Sequence, residues 1–359
     1  MRKKLALFPM TRDLCAVARY SSTMCDYEVT CLFTISAMGL PGADISTIDG
    51  GALAGAYLVE YSKSALTSAA CNVIFLDYDE KLQESLLYSQ ILQDAADLNI
   101  EVIISRKLLS HLQKKLTEWP NDSPHTEYPE FDRMYEIRVP VVTVLSQGNR
   151  TDQFALELAL RQYFISKGYN VSQIGSHEAS ELFGFSRLPD FMYEPRDAYD
   201  KTIKFNHYAY DLIDKEQPHL LILGVPGATM KYNNRLLCGL GYLPQIVCNA
   251  VKSDVSILSL YHVICNEKFL KEIEQHGHYH LNSPIQLFNI ANVSFVPDLV
   301  SEFPKIKYLD LNSRFVLDSI NSKMETGIYD VYNVLDTESA VSLCSAVESI
   351  LSGNVHYVK

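Results

Sequence analysis

The feature that most constrains this chain is the alternation of short, unbroken apolar runs with stretches of helical spacing. KKLALFP (Lys3–Pro9), YEVTCLFTI (Tyr27–Ile35), NVIFLDY (Asn72–Tyr78) and IEVIIS (Ile100–Ser105) are continuous rather than alternating runs. A strand that is apolar on both faces needs cover on both, which is the pattern of a parallel sheet between helices. Helical spacing fills the dozen residues after Pro9 and the stretch Lys81–Leu98. The segment GLPGADISTIDGGALAG (Gly39–Gly55) reads as a long glycine-rich loop over the sheet edge, of a length that suggests function.

WPNDSPHTEYPEFDRMY (Trp119–Tyr135) has three prolines and no period, which marks a linker. Beyond it the alternation restarts. The strands are VPVVTVLS, YNVSQIG, HLLILG and DVSILSL, with weaker strands at IQLFNI and IKYLDL. Helices are expected over Thr151–Lys167, about Arg196–Glu216 and near Tyr242–Val251. TESAVSLCSAVESIL (Thr337–Leu351) ends the pattern as a helix capped by Thr337. A chain of 359 residues exceeds one hydrophobic core, and the expected division is 1–118, a linker at 119–135 and 136–359.

Composition narrows the function classes. With 47% hydrophobic and 21% charged residues the chain can bury a core, and a net charge of -12 opposes a nucleic-acid partner, which needs a basic face. The opening MRKKLALFPMTRD is broken by Pro9 and Arg12 too soon for a signal peptide. No stretch reaches the roughly 18 apolar residues of a membrane span. Eight scattered cysteines without a C-x-x-C pair suit buried thiols in a reducing compartment better than disulfides or zinc. The expectation is a cytoplasmic protein with no membrane partner, assembling as a homo-oligomer.

Open α/β sheets bind ligands at the carboxyl ends of their strands, so the loops leaving those ends are the candidates. They are SQGNRTD (Ser146–Asp152), SQIGSHEAS (Ser172–Ser180), GVPGATMKYNN (Gly224–Asn234) and the turn after SILSLYH (Ser256–His262). The first has the layout of a phosphate-binding loop, G-x-x-x-x-G-K-[ST], whose lysine supplies charge and whose hydroxyl holds magnesium. Counting from Ser146 puts Thr151, Asp152 and Gln153 at the last three positions; counting from Gly148 puts Gln153, Phe154 and Ala155 there. No register supplies the lysine, so ATP hydrolysis in the usual manner is not expected. Arg150 is the cation in the loop, and a planar guanidinium can clamp an anion. Ser146, Gly148, Asn149, Arg150 and Thr151 are therefore candidate ligand contacts, although an ordinary strand-to-helix turn accounts for the same residues.

Gly224, Pro226, Gly227, Asn233 and Asn234 join that set. A strand ending Gly-x-Pro-Gly is expected to bend sharply, either for close ligand approach or as a turn whose asparagines cap the next helix. Ser176 and His177 follow another strand end and can face the same cleft, with a helix cap as the other reading of Ser176. His207, in KFNHY, reads as a core or surface histidine. QHGHYHL places His276, His278 and His280 at alternate positions, one face of a strand; without a companion carboxylate or cysteine, no metal site is assigned. With no G-x-S-x-G elbow and no G-x-G-x-x-G after the first strand, no catalytic residue is assigned.

SQGNRTDQFALELALRQYFISKGYNVSQIGS, LFGFSRLPDFMY, KFNHY and LILGVPGATMKYNN, in that order, resemble a family of clostridial peptide maturation system proteins. That family is associated with ribosomally made, bacteriocin-like peptides and radical SAM enzymes. The resemblance implies an accessory role in peptide maturation, with a precursor peptide and maturation enzymes as partners. The order of elements is also similar, more distantly, to two-domain proteins related to D-glutamate N-acetyltransferases, whose second domain is a P-loop fold. It implies an α/β chain with a Rossmann-like N-terminal domain followed by a degenerate P-loop NTPase-like domain. Those relatives carry glycine-lysine where this chain has Arg150-Thr151, so a nucleotide or acyl-CoA is a possible ligand and not an implied one. The alternative function is an acyl-CoA- or nucleotide-dependent transferase or ligase acting on a peptide or amino acid.

Overall fold

The computed structural model describes residues 2–79, 82, 85–113, 133–298 and 305–354. The linker read over Trp119–Tyr135 lies outside the described residues up to 132. The chain forms two compact units, Met1–Pro124 with Glu178–Gly184, and His125–His177 with Phe185–Lys359.

The first unit contains β1 (Lys3–Phe8), α1 (Arg12–Arg19), β2 (Tyr27–Thr34), α2 (Ser46–Asp49), β3 (Val59–Glu60), α3 (Lys63–Ser68), β4 (Val73–Leu76), α4 (Ser85–Asp97), β5 (Glu101–Ile104) and α5 (Arg106–Gln113). Its sheet runs in the order β3-β2-β1-β4-β5 with every pair parallel, a Rossmann-like layer. The continuous apolar runs become this sheet because both faces are covered; Ala6, Phe8, Phe33, Ile74, Tyr88 and Ile91 are buried together.

The glycine-rich stretch Gly39–Gly55 is not the open loop its composition suggests. It contains α2, and the Asp44 carboxylate accepts from the amides of Ser46, Ala54 and Ala56 at 2.9, 3.2 and 3.1 Å. Burial pushes the Asp44 carboxyl up, but these amides outweigh it and hold the group below its ordinary value. Arg19 grips Asp49 through two nitrogens, at 2.6 and 2.8 Å.

The second unit contains β6 (Val141–Ser146), α6 (Gln153–Ser166), β7 (Val171–Gly175), β8 (Ser186–Arg187), α7 (Ala198–Glu216), β9 (Leu220–Ala228), α8 (Tyr242–Ala250) and β10 (Val255–Leu260). It continues with α9 (Glu267–His280), β11 (Ile285–Ile290), β12 (Val293–Asp298), β13 (Lys305–Asp310), α10 (Ser313–Lys323), β14 (Asp330–Tyr332) and α11 (Thr337–Asn354). Seven strands form a parallel sheet in the order β14-β11-β10-β6-β9-β7-β8. All six residues of β6 are buried, and one face packs Leu145, Ile174, Phe205, Leu223, Leu258 and Phe288 into a single core. The chain leaves β6 toward β7 and leaves β10 toward β11, so the carboxyl ends of these neighbours form the switch point where α/β sheets bind ligands. The fold is thus α/β, a Rossmann-like unit and a P-loop-like unit.

Several local expectations are corrected. QHGHYH belongs to helix α9, where spacing by four stacks His276 on His280 with ring centroids 4.8 Å apart and turns His278 away. IKYLDL joins β12 in a separate antiparallel ribbon rather than the main sheet. The cap of α11 is Asp336, whose carboxylate accepts from the Ser339 amide at 2.9 Å, and Thr337 is already helical. Among the described residues, no helix is long and apolar enough to cross a membrane, and no group of three or more His, Cys, Asp or Glu is placed to hold a metal. All eight cysteines are free thiols.

Candidate functional site

The β6–α6 connection, Gln147–Asp152, stands at the switch point and is held from every side by residues distant in sequence. The Gln147 amide donates to Ser259 O at 2.8 Å, and the Gln147 side-chain carbonyl accepts from the Tyr261 amide at 3.0 Å. The Ser259 hydroxyl donates to Thr151 O, and the Thr151 hydroxyl to Gly148 O at 3.1 Å. Gln153, buried at the start of α6, donates to Val144 O at 2.9 Å and Val225 O at 2.8 Å. Ser146 is buried, and its hydroxyl donates to Gly227 O at 2.9 Å.

Tyr261 covers this loop. Its hydroxyl donates to Asn149 O at 2.8 Å and sits so close to Gly148 that an added Cβ would lie 2.4 Å from the phenol oxygen. Gly148 is glycine because a tyrosine occupies the space its side chain would fill. Burial, and then Tyr308, push the Tyr261 phenol far above its ordinary value, so it remains a donor at neutral pH.

The charges of the loop are already engaged. With Ser146 as first residue, the lysine position belongs to Asp152, which is 4% exposed and whose carboxylate accepts from the Asn292 amide at 2.9 Å. A network of buried asparagines backs that contact. Asn292 donates to the Ser313 hydroxyl at 2.7 Å, Asn333 donates to Asn292 at 2.7 Å, and Asn289 donates to the Ser259 hydroxyl at 2.6 Å. Arg150 donates to Asp310 at 3.1 and 3.4 Å, and its guanidinium lies 5.1 Å from the centre of the Tyr308 ring. Arg150 and Asp152 both take left-handed backbone, with φ of 66° and 58°, a costly choice for residues with a side chain.

The second candidate segment is built around Glu157 of α6, which is fully buried. Its carboxylate accepts from the Ser176 amide at 3.0 Å and rests on Gly224, where a Cβ would fall 2.2 Å from it. Gly224 thus makes room for a carboxylate of this chain. The His177 ring packs against Phe154 at 5.1 Å. The expected sharp bend at Gly-x-Pro-Gly is corrected: β9 continues to Ala228. Its extra residues form a bulge, β6 advancing from Val144 to Ser146 while β9 advances from Gly224 to Ala228. Gly227, at φ 91°, and the half-buried Pro226 lie in this bulge.

Asn233 and Asn234 make their hydrogen bonds within their own turn. The Asn233 side chain accepts from the amides of Arg235 and Leu236, each at 2.8 Å, and Asn234 accepts from Lys231 at 2.9 Å. The structure brings Ser146, Gly148, Asn149, Arg150 and Thr151 together with Gly227, and Ser176 together with Gly224. The asparagine turn reaches them through the ring series Tyr232–Phe295–Tyr261, at 5.0 and 4.7 Å. His207 is a buried histidine bonded to Arg133 O at 2.7 Å.

Sequence reasoning missed Tyr261, Glu157, Asp310 and the three asparagines. A signal existed for some of them. Glu157 is a lone charge in FALELAL, and Asn289 and Asn292 are lone polar residues in LFNIANV, a pattern that implies a buried, partnered group.

No family model and no curated protein matches the sequence. Among solved structures, a DUF1611 family protein from Anabaena variabilis is similar with a TM-score of 0.60 at 10% identity, over 97% of this chain and 99% of its own. That likeness is one of fold. A nucleotide-binding protein from Archaeoglobus fulgidus in complex with ADP matches 58% of this chain and 86% of its own, at 11% identity and a TM-score of 0.32, too slight to carry an argument.

Proposed function

We propose that the protein is an accessory factor in the maturation of a ribosomally synthesised peptide. In this reading its P-loop-like unit holds a ligand or partner without hydrolysing nucleotide. The observation that carries the second half is Asp152: a buried carboxylate, bonded to the Asn292 amide, takes the position from which a phosphate loop extends its lysine. A carboxyl group there cannot supply the positive charge with which a lysine attracts a triphosphate. The peptide context rests on the likeness of Ser146–Ser176, Leu182–Tyr193, Lys204–Tyr208 and Leu221–Asn234 to the peptide maturation family.

The test is a thermal-shift series with ATP, GTP and acetyl-CoA, with and without magnesium, beside capture of a candidate precursor peptide by the full chain. A ligand that binds only the folded state must raise its melting temperature. The expected result is no shift with any of the three and retention of the peptide. A nucleotide or acyl-CoA shift that Arg150→Ala abolishes would overturn the proposal in favour of a transferase or ligase.

A further inference from the structure

We propose that Arg150 is a carboxylate-recognition residue, and that in the free protein its ligand's place is held by the carboxylate of Asp310. This rests on reading the loop as a ligand holder rather than a nucleotide hydrolase.

The geometry is that of a bound anion supplied by the chain itself. Asp310 presents both oxygens to one guanidinium nitrogen, at 3.1 and 3.4 Å, while the Tyr308 ring flanks the same guanidinium at 5.1 Å. Both residues come from β13, which among the described residues pairs with β12 in a ribbon outside the seven-stranded sheet. Its inner face sets Phe295 directly opposite Tyr308, and both rings meet Tyr261 over the loop, at 4.7 and 6.0 Å. Its outer face exposes Val296 and Leu309 at 61% and 58%. The ribbon is rooted where Leu311 donates to Asn292 O at 2.8 Å and His262 to Val293 O at 2.7 Å. The packed rings hold the ribbon over the loop, and the Arg150–Asp310 pair is its partly exposed polar contact with it.

Exposure points the same way. The pair is 30% and 41% exposed, so water already reaches it, and an incoming anion can exchange with Asp310 at small cost. Arg150 itself is held in left-handed backbone by the Tyr261, Ser259 and Thr151 contacts, so the guanidinium stays presented when Asp310 leaves. The class of ligand follows from the group that now occupies Arg150. Asp310 offers a carboxylate, so a ligand that takes its place on Arg150 beside Tyr308 is matched in shape by another carboxylate. A carboxyl terminus and an acidic side chain of a peptide share the required chemistry.

The test is calorimetric titration of the full chain, its Asp310→Asn variant and an Arg150→Ala/Asp310→Asn double variant. The probes are acetyl-trialanine with a free carboxyl terminus, acetyl-alanyl-glutamyl-alaninamide and inorganic phosphate. If Asp310 occupies Arg150 nine-tenths of the time, D310N binds a carboxylate probe about tenfold more tightly than the natural chain. The double variant loses that gain, and whichever peptide responds identifies the source of the carboxylate. Equal affinities for the natural chain and D310N, a gain that survives loss of Arg150, or tighter binding of phosphate than of either peptide would each overturn the inference. None of those outcomes produces a nucleotide response, so failure here stays distinct from failure of the functional reading.

Discussion

In the first unit the chain leaves β1 and enters α1 across Pro9, Met10 and Thr11; in the second it leaves β6 and enters α6 across Gln147–Asp152. The first connection takes a backbone bond from the neighbouring strand, the Met10 amide donating to Phe33 O at 3.0 Å, and is capped locally. The Thr11 hydroxyl accepts from the Leu14 amide at 3.3 Å, an ordinary N-cap. The second has no side-chain cap at Asp152 and two left-handed residues, each costing roughly 1–3 kcal/mol. It persists because Ser259, Tyr261 and Asn292, 108 to 140 positions away from their partners in the loop, fix its backbone. A turn that only connects needs no such support. Strain held by long-range contacts sets the β6–α6 loop apart from the β1–α1 connection.

The largest expected effect separates the two plans directly. Gly148→Ala places a methyl 2.4 Å from the Tyr261 phenol oxygen and should lower the stability of the second unit by about 2–3 kcal/mol in urea unfolding. Adding Tyr261→Phe removes the clashing atom and should recover part of that loss. A Gly148→Ala protein as stable as the natural chain would mean that Tyr261 does not fix the loop.

Thr11→Ala in the first unit should cost about 1 kcal/mol, the ordinary price of an N-cap, with no rescue available from a distant residue. A cost as large as that at Gly148 would erase the contrast between local and long-range support.

The smallest effect concerns pH. The folded-state Asp44 carboxyl lies below the ordinary 3.8, so its contribution is fully present above that pH and is lost as pH falls through the lower, folded value. Protection of the Ala54 and Ala56 amides, measured as exchange relative to the intrinsic rate at each pH, should therefore fall below pH 3.8, and Asp44→Asn should remove that acid-dependent step. Identical pH dependence in both proteins would show that other groups carry the acid sensitivity of the glycine-rich segment.

The apolar runs were sufficient to place β1, β2, β4, β5, β6, β7, β9, β10 and β11, because a mostly apolar run needs cover, although β2 and β5 keep exposed or half-buried positions and β6, β7, β10 and β11 bury polar ones. The missing lysine was equally legible, since it follows from counting along Ser146–Gln153. What the residues could not reveal alone was which side chains close the loop. Tyr261, Asp310 and Asn292 reach it only because the sheet order places β10 beside β6 and sends the ribbon back over their carboxyl ends. The triple-histidine segment failed for a local reason: in QHGHYH alternation by two fits a strand, but the capping Asn266 and the buried Leu270, Ile273 and Gly277 impose a helical period.

Sequence by itself determined the class of fold, two α/β layers, and the absence of a phosphate loop's lysine, because apolar periodicity and residue identity are properties of the chain read in order. Only the tertiary structure decided that Asp152 is buried against an amide, that Gly148 and Gly224 make room for Tyr261 and Glu157, and that Asp310 lies on Arg150. Those facts depend on distances between residues far apart in sequence, which the order of strands in the sheet sets and local pattern does not encode.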